Sequence, residues 1–560
     1  MAQVWIDALT FNDGNTVKLA KNDIVVLVGP NNAGKSATLR ESEQLLRAKS
    51  NKGKVISDLF IGREGNEEEL IRRLELMGEK TFSGNPLPSY RGFGFDVYEG
   101  NAKSYWSRIE DDGLSDLLEV FVKNITTEER LTAASPTNNI RLSKEPPTHS
   151  IHFLQKKDSL EATFSDYFRQ AFGTDLIIHR NAGSEVPLYL GERPIPKEGE
   201  DRVSEGYLAE LETRDLLHEQ GDGMRSFVGV LLNAFVSQHS ILFIDEPEAF
   251  LHPPQARLLG TMLARDLPTE RQLFLATHSQ DFLKGLLDAK VNNLKIIRVR
   301  RDGSVNKVSM LNSADIEAIW NDSLLRHSNV LDGLFHSKVV ICESDSDCRF
   351  YSAVMSAIYG DQGSIAPDIM FIHCGGKHRI PVVVRALRKL GVPITVVADF
   401  DVLSDMQPLC AIVEGLEGVW PELESDWLLV KSSVDQKRPE LETEDVKKEI
   451  AGILASVEQR IFPKEAVREL GKVLKKTSAW SQAKAAGKSY IPSGDPTQAY
   501  ARLREALKLV GLLVVDVGEL EGFVRSIGNH GPTWVNDALN RDLRNDPELE
   551  DARRFVAEMV

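Results

Sequence analysis

The eight residues from Gly29 to Ser36, which read Gly-Pro-Asn-Asn-Ala-Gly-Lys-Ser, constrain the fold of this chain more than any other feature. An apolar, β-branched run from Asp23 to Val28 precedes them, and a helical pattern from Lys35 to about Ala48 follows. A strand, a glycine-rich turn and a helix in this order are the context in which such a pattern binds phosphate. The sequence therefore predicts a Walker A loop in an α/β fold.

The backbone N–H groups of this loop can surround phosphate oxygens, and the N-terminus of the following helix favours negative charge. Lys35 is predicted to contact the β- and γ-phosphates of ATP, and the Ser36 hydroxyl to bind Mg²⁺. The predicted nucleotide-binding residues of the loop are Gly29, Asn31, Asn32, Gly34, Lys35 and Ser36.

Two later apolar runs end in polar residues. The first, from Ser240 to Ile244, is followed by Asp245 and Glu246, and a continuous apolar run is typical of a buried parallel strand. Asp245 is predicted to support the Mg²⁺ ion and Glu246 to polarise the attacking water. The second, from Arg271 to Ala276, ends in Thr-His-Ser, where His278 either senses the γ-phosphate or is structural.

A further glycine pair lies before an apolar helical run from Phe227 to Val236. Gly221 and Gly223 are predicted to offer phosphate a second helix N-terminus, and the alternative is a plain turn into the helix. Together with the preceding motifs, these residues resemble the ABC-type ATPase head of the SMC, Rad50 and RecF class. In that family the signature loop of one subunit closes on the nucleotide of its neighbour, which implies a dimer.

Two segments qualify this resemblance. The run from Gly221 to Ser226 departs from the Leu-Ser-Gly-Gly-Gln that is usual in the signature loop. The run from Glu246 to Pro253 resembles the version found in ATPases of the OLD (overcoming lysogenization defect) family.

Acidic residues follow two apolar strands in the second half of the chain. The strand from Ser337 to Cys342 is followed by Glu343 and Asp347, and the strand from Pro393 to Ala398 by Asp399 and Asp401. Carboxylates that converge at strand ends suit Mg²⁺ or Mn²⁺, and their mutual repulsion makes a cation favourable. The alternating spacing of Asp399 and Asp401 predicts that both side chains lie on one face of an extended segment. The alternative is a set of solvated loop acids.

This pattern resembles the Toprim domain of topoisomerases, primases and OLD nucleases. Glu343, Asp399 and Asp401 match the family's Glu and Asp-x-Asp, and Asp347 matches a further acid of the OLD type. Ser344 stands where many Toprim domains have glycine.

The run from Cys374 to His378 resembles the family's Gly-Gly-Lys turn, so Lys377 is expected to neutralise charge at the scissile phosphate unless it is an ordinary loop lysine. Glu521 is the expected outer metal ligand and Glu519 its competitor. His530 either contacts phosphate or belongs to a turn.

The resemblance assigns roles to two groups of residues. The expected catalytic residues are Glu246, His278, Glu343, Asp347, Asp399, Asp401 and Lys377. The expected metal ligands are Glu343, Asp347, Asp399, Asp401 and Glu521 in the Toprim site, and Ser36 and Asp245 beside ATP. One or two Mg²⁺ or Mn²⁺ ions are expected in the Toprim site and one with the nucleotide.

The motifs divide the 560 residues into an ABC/SMC-like ATPase domain, 1–333, and a Rossmann-like Toprim domain, 334–560. Segments 51–210 and 403–509 carry no recognised catalytic motif and are interpreted as insertions. The first is expected to be a dimerisation region and the second helical.

Composition limits the partners and the compartment. The net charge of -16 argues against coating of a polyanion, although bound metals or a local basic groove can supply positive charge for DNA. The four cysteines form no Cys-x-x-Cys pair, which argues against a zinc ribbon. Without a secretory signal pattern or an apolar run of ~20 residues, the chain is predicted to be cytoplasmic and free of the membrane.

The OLD resemblance implies an ATP-binding and ATP-hydrolysing, divalent-metal-dependent DNA endonuclease whose nucleotide state regulates cleavage. Members include the nuclease subunit of Gabija systems and retron-associated nucleases, which implies antiviral defence with a second component. A homodimer or homotetramer is expected. A topoisomerase needs a tyrosine in a separate cleavage domain and a Toprim primase usually has a zinc ribbon, and neither is recognised here. The remaining alternative is an SMC/RecF-like DNA clamp or sensor without nuclease activity.

Overall fold

The computed structural model describes residues 1–560 except 83–85, 93, 143, 146, 312, 323–324, 326–328, 361–365, 438–441 and 476–478. The chain forms two compact units, Met1–Trp320 and Asn321–Val560. The boundary expected between residues 333 and 334 lies inside the second unit and stays a prediction.

The first unit is a mixed α/β structure. Its strands are β1 Gln3–Phe11, β2 Thr16–Lys18, β3 Ile24–Val28, β4 Ile56–Glu64, β5 Gly78–Thr81, β6 Ser89–Gly92, β7 Phe95–Tyr98, β8 Val122–Ile125, β9 Thr137–Asn138, β10 Asp175–Ile178, β11 Glu185–Val186, β12 Leu188–Gly191, β13 Asp215–Leu216, β14 Ile241–Asp245, β15 Gln272–Ala276, β16 Leu294–Asp302 and β17 Val305–Leu311. Its helices are α1 Lys35–Arg47, α2 Glu67–Met77, α3 Glu99–Ser107, α4 Ile109–Asp112, α5 Leu118–Phe121, α6 Thr127–Thr132, α7 Ser150–Lys156, α8 Asp158–Phe172, α9 Glu205–Leu211, α10 Asp222–Leu231, α11 Pro253–Asp266, α12 Gln280–Asp288 and α13 Ser313–Asn321.

A six-stranded sheet in the order β17-β16-β3-β15-β14-β8 forms the centre of this unit. The strands are parallel except β17, which pairs with β16 as an antiparallel hairpin. β3 and β15 are buried along their whole length, as continuous apolar runs in a parallel sheet require. The predicted strand, loop and helix around the Walker A pattern are therefore confirmed.

Segment 51–210, which is expected to include an insertion, contributes two strands to sheets of the first unit, and the insertion itself stays a prediction. β4 pairs with β1, and β8 pairs with β14 at the edge of the central sheet. Neither strand carries a catalytic motif, so a search by motifs alone could not assign them to the ATPase unit.

A buried glutamate organises the later part of this segment. Glu161 on α8 is 2% exposed, and its carboxylate accepts hydrogen bonds from Arg180 at 2.7 Å, Arg193 at 2.9 Å and Arg202 at 2.5 Å. Burial opposes ionisation, but the hydrogen bonds from Arg202 and Arg180 outweigh it and hold the pKa of Glu161 below its ordinary value of 4.5. The carboxylate is therefore expected to be charged at neutral pH.

Glu161→Gln is expected to lower the free energy of unfolding by roughly 3 kcal/mol at pH 7, because three guanidinium groups lose their shared countercharge. Since the folded-state pKa is depressed, the wild-type advantage is present above pH 4.5 and is lost as the pH falls below it. Urea denaturation at pH 7 and pH 4 measures both effects. Glu198→Gln, an exposed loop change, is the control, and an equal loss of stability at the two pH values would contradict the prediction.

The second unit is built on a four-stranded parallel sheet in the order β19-β18-β20-β21. Its strands are β18 Lys338–Cys342, β19 Ile369–His373, β20 Ile394–Ala398 and β21 Leu512–Val514. Its helices are α14 Asp345–Tyr359, α15 Ile380–Lys389, α16 Met406–Gly415, α17 Trp420–Gln436, α18 Thr443–Ala455, α19 Lys464–Lys475, α20 Ala479–Ala486, α21 Asp495–Val510, α22 Pro532–Leu539 and α23 Glu550–Ala557. The expected α/β class is confirmed, and the described part of segment 403–509 is helical.

None of the described helices is both long and apolar enough to cross a membrane.

Candidate functional site

The glycine loop after β3 contains three residues with positive φ values. Gly29, Asn32 and Gly34 have φ values of +143°, +60° and +105°. A Cβ atom on Gly29 would lie 2.1 Å from the carbonyl oxygen of Val299, so the close approach of β16 requires glycine there. α1 begins at Lys35, directly after the loop.

The predicted phosphate and Mg²⁺ residues lie together. The Lys35 side chain is buried and donates hydrogen bonds to the carbonyl oxygens of Gly29 at 2.7 Å and Pro30 at 2.8 Å. The Ser36 hydroxyl donates to Asp245 Oδ1 at 3.1 Å. β3, β15 and β14 are adjacent, which brings the ends of the Walker A and Walker B strands to one edge of the sheet.

Glu246 follows β14 in a strained turn. Its φ is +48°, which is unfavourable for a residue with a Cβ atom. Its N–H donates to the Ala276 carbonyl at 2.8 Å, and its carbonyl accepts from the buried Arg130 guanidinium at 2.6 Å. Nε2 of His278 lies 3.8 Å from Glu246 Oε1. Burial, assisted by the Lys35 charge, lowers the pKa of His278 and favours the neutral imidazole.

A cavity of about 1030 Å³ is bordered by residues 31–36 of the Walker A loop and by His278. Asp245 and Glu246 are not among the described residues of its wall. Its wall contains Asn31, Asn32, Ala33, Gly34, Lys35, Ser36, Ala37, Arg40, Glu41, Lys54, Val55, His278, Arg301, Ser304 and Asn306. Gly221 and Gly223 are not among the described residues of this wall, so a role at the nucleotide of a neighbouring subunit stays a prediction.

The predicted acids of the second unit lie at the carboxyl ends of neighbouring strands. Glu343 follows β18 and Asp399 follows β20, and carboxylate oxygens of Glu343, Asp399 and Asp401 lie within 4.8 Å of one another. The N–H of Asp399 donates to Glu343 Oε1 at 3.2 Å. The expectation of an extended Asp-x-Asp segment is wrong, because Phe400–Ser404 is a 3-10 helix. The helical turn still brings both aspartates to one group.

Asp347 lies in the first turn of α14, where its side chain caps the helix. Asp347 Oδ2 accepts from the Ser344 N–H at 2.9 Å and from the Ser344 hydroxyl at 3.0 Å. Asp347 is outside the group of three acids, but its charge raises the pKa values of Glu343 and Asp399.

Two lysines neutralise part of the acidic group. Lys377 Nζ donates to Asp401 Oδ2 at 2.9 Å, and its role at the scissile phosphate stays a prediction. Lys484 Nζ lies 2.6 Å from Asp399 Oδ2 and 3.6 Å from Asp401 Oδ1. Lys484 is not predicted from the sequence, because it belongs to the helical segment 403–509 and has no motif around it.

Close backbone contacts hold Lys484 at this position. A Cβ atom on Gly518 would lie 2.0 Å from the Lys484 carbonyl oxygen. The Gly518 carbonyl in turn accepts from the Phe400 N–H at 2.7 Å, and the Phe400 ring packs against Trp480 on α20 at 6.4 Å between centroids. α20 is therefore fixed to the Asp-x-Asp turn on two sides.

Burial and mutual repulsion disfavour the charged form of these acids. Burial is the largest cause that raises the pKa values of Glu343 and Asp347, and it raises the pKa of Asp399 to about 8 against the opposing charge of Lys484. For Lys484, burial acts in the opposite direction, but Asp399 and Asp401 outweigh it and raise its pKa. A cation placed among these carboxylates would stabilise their charged forms.

The donor set fits a hard divalent cation. Every carboxylate oxygen is a hard ligand of the kind that Mg²⁺ and Mn²⁺ prefer. Asp401 Oδ1 is buried and has no hydrogen-bond partner among the described residues.

A second ligand group lies after β21. Ligand atoms of Glu519, Glu521 and His530 are within 4.8 Å of one another, and Glu521 Oε1 also accepts the Gly531 N–H at 2.8 Å. The charges of Glu521 and Asp401 raise the pKa of Glu519, although burial is the larger cause. Glu519 and Glu521 therefore both remain candidates for the outer ligand.

Two family models match this chain. Residues 24–283 match the model described as "AAA domain, putative AbiEii toxin, Type IV TA system". Residues 334–401 match the model described as "Overcoming lysogenization defect protein-like, TOPRIM domain". The chain therefore contains one segment that matches an ATPase domain model and another that matches an OLD-like Toprim domain model. The resemblance drawn from the motifs is thereby confirmed.

The chain is 24% identical over 177 residues to the Old nuclease of Escherichia phage P2. This match covers 30% of the chain and 29% of the relative, so the chain spans less than a third of that relative's length.

Among solved structures, the SMC head bound to the C-winged helix domain of ScpA is similar, with 13% identity and a TM-score of 0.34. The SMC head domain from Thermotoga maritima has 11% identity and a TM-score of 0.28. Each match covers 56% of this chain and 99% of the other.

Proposed function

We propose that this protein is a divalent-metal-dependent DNA endonuclease that binds and hydrolyses ATP, and that its nucleotide state regulates cleavage. The observation that carries the proposal is the convergence of Glu343, Asp399 and Asp401 at the ends of neighbouring strands. The similarity to the Old nuclease and the OLD-like Toprim match support the same chemistry.

In the proposed cleavage site, Glu343, Asp399 and Asp401 hold the metal, with Asp347 and Glu521 or Glu519 at its border. A bound Mg²⁺ or Mn²⁺ ion supplies Lewis-acid stabilisation and a more acidic water. Lys377 and Lys484 would exchange their contacts with Asp401 and Asp399 for oxygens of the scissile phosphate. Their ammonium groups then stabilise the negative charge that develops during phosphodiester cleavage.

In the proposed ATP site, Lys35 binds the phosphates, and Ser36 with Asp245 holds the accompanying Mg²⁺. Glu246 orients the attacking water, and Arg130 keeps the Glu246 backbone in the turn that aims its side chain. The neutral imidazole of His278 lies near the Glu246 carboxylate, and His278 senses the γ-phosphate from this position. Dimerisation would add Gly221 and Gly223 of a neighbouring subunit to this site.

The test incubates supercoiled and linear DNA with the wild-type protein in Mg²⁺, Mn²⁺ or EDTA, with and without ATP. Nicked or linear products are expected in either metal and not in EDTA, and ATP is expected to change the rate. DNA that stays intact in both metals at protein concentrations that bind it would reject the nuclease.

The ion pairs at the acids favour one alternative, a DNA clamp or sensor without nuclease activity. Lys484 and Lys377 already pair with Asp399 and Asp401, and such pairs can satisfy carboxylates without a metal. ATP-dependent DNA binding without cleavage is the result expected from this alternative.

The Mn²⁺ affinity of the Lys484→Met variant distinguishes the metal-dependent nuclease from the DNA clamp or sensor. The change removes one positive charge within 4 Å of the acids and is expected to tighten Mn²⁺ binding roughly tenfold. Two unit charges at about 4 Å interact by ~1 kcal/mol in water and by ~4 kcal/mol at an effective dielectric constant of 20, and a tenfold change in affinity lies within this range. Calorimetric titration of Mn²⁺ into nucleotide-free protein measures the change. Lys488→Met, which removes an exposed lysine paired with Asp516, is the control. Unchanged Mn²⁺ affinity in Lys484→Met would mean that the metal does not bind beside Asp399.

We also propose a cytoplasmic role in antiviral defence, as a homodimer or homotetramer with a second component. Plaque counts on bacteria that express the system test this role. Protection is expected from the wild type and not from Asp399→Ala/Asp401→Ala, and equal plaque numbers with and without the wild type would reject it.

A further inference from the structure

A buried asparagine of the β16–β17 hairpin contacts the phosphate loop at the wall of the cavity, outside the segment that the ATPase family model matches. Asn306 is on β17, the second strand of the β16–β17 hairpin, and its side chain is 6% exposed. Its Nδ2 donates a hydrogen bond to the Ala33 carbonyl at 2.6 Å. The hairpin therefore contacts the loop near its end, as Val299 contacts Gly29 at its start.

A second asparagine holds this amide in one orientation. The Asn306 N–H donates to Asn12 Oδ1 at 2.8 Å, and Asn12 Nδ2 donates to Asn306 Oδ1 at 3.2 Å. Asn12 Nδ2 also donates to the Lys54 carbonyl at 2.6 Å. With its oxygen accepting from Asn12, Asn306 can present only its NH₂ group to Ala33.

The hydrogen bond between Asn306 and the Ala33 carbonyl determines the direction of the Gly34 N–H group. The peptide bond between Ala33 and Gly34 is planar and trans, so its C=O and N–H point in opposite directions. An Ala33 carbonyl held by Asn306 on one side directs the Gly34 N–H to the other side. Backbone N–H groups of such a loop are the groups that bind phosphate oxygens. Gly34 fits so closely that a Cβ atom there would lie 2.8 Å from Asn306 Nδ2.

We propose that Asn306 is a positioning residue of the nucleotide site, which orients the Ala33–Gly34 peptide for phosphate binding through the Asn12–Asn306 pair. The inference rests on the proposed ATP binding and adds a residue from the hairpin to it. Asn306 acts on affinity for the phosphates, whereas Glu246 and the water that it orients act in the chemical step.

The test compares Asn306→Leu and Asn306→Asp with the wild type. Leucine removes the hydrogen bond, and aspartate keeps the acceptor for Asn12 but turns an oxygen toward the Ala33 carbonyl. The dissociation constants of MgATP and MgADP are expected to rise roughly tenfold in both variants, the effect of about one lost hydrogen bond. The kcat of ATP hydrolysis at saturating ATP is expected to stay within about twofold, because a peptide already held by bound phosphate needs less help from Asn306.

Ser309→Ala, an exposed change on the same strand, is the matched control and is expected to leave both dissociation constants unchanged. Asn12→Ala tests the pair from its other side and is expected to weaken nucleotide binding by a smaller factor. Thermal unfolding without nucleotide checks each variant, and the conclusion is taken from those that are folded at the assay temperature.

Folded Asn306 variants that bind ATP as tightly as the wild type would overturn the inference, as would a fall in kcat with unchanged affinity. A wild-type protein that does not bind ATP would overturn the proposed function itself, so the two failures are distinguishable.

Discussion

Asp399→Ala/Asp401→Ala is expected to abolish DNA cleavage in Mg²⁺ and in Mn²⁺. The double change removes two of the three carboxylates that lie within 4.8 Å of one another and leaves Lys377 and Lys484 without their partners. The loss of even one electrostatic group at a reacting centre lowers rates by about 10²–10³-fold, so cleavage should fall by at least roughly 10³-fold. Quantified conversion of supercoiled DNA to nicked and linear forms measures the loss.

A matched control is available at the start of α14, which follows the neighbouring strand β18. Asp345→Asn changes an exposed acid two residues after Glu343 that belongs to neither described ligand group, and cleavage should persist. ATP binding by the double variant should equal that of the wild type, which separates a lost metal site from general unfolding. Cleavage by the double variant at the wild-type rate would eliminate the acidic group as the nuclease centre.

Lys35→Ala is expected to weaken ATP binding by roughly 100-fold, because hydrogen bonds to charged groups contribute about 1.5–3 kcal/mol each. The lysine also holds the Gly29 and Pro30 carbonyls at 2.7 and 2.8 Å, so its loss relaxes the empty loop as well. Cleavage by the variant should no longer respond to ATP. Equilibrium binding of a fluorescent ATP analogue, followed by cleavage assays over an ATP series, checks both results.

Lys52→Ala, an exposed lysine outside the described cavity wall, is the control for this change. If Lys35→Ala retained the wild-type affinity, the glycine loop would not be the nucleotide site. A variant that loses ATP binding but keeps a nucleotide-dependent cleavage rate would show that the two activities are linked through another site.

Residues at strand ends were predicted well because their signal is local. Asp245 ends β14 and is recognised from the apolar run before it, whereas Ser36 is recognised from the glycine loop that follows β3. Parallel pairing of neighbouring strands then brings such ends together, which places Ser36 Oγ 3.1 Å from Asp245 Oδ1. The same reasoning holds for Glu343 and Asp399.

Predictions that extended a local pattern past a strand end were less accurate. Asp401 was expected on an extended segment, but the chain turns into a 3-10 helix at Phe400. The motifs leave segment 51–210 unassigned, and only the structure shows that β4 and β8 within it belong to sheets of the first unit. An edge strand has no chemical motif, so only its pairing partner reveals its place.

The sequence by itself determined the α/β class, the Walker A loop and the set of acids, because each depends on residues adjacent in the chain. The tertiary structure decided which distant side chains complete these sites. Lys484 reaches Asp399 from a helix in segment 403–509, and Asn306 reaches Ala33 across 273 residues of sequence. A contact between distant segments leaves no periodic signal in either one, since its geometry exists only after both have packed.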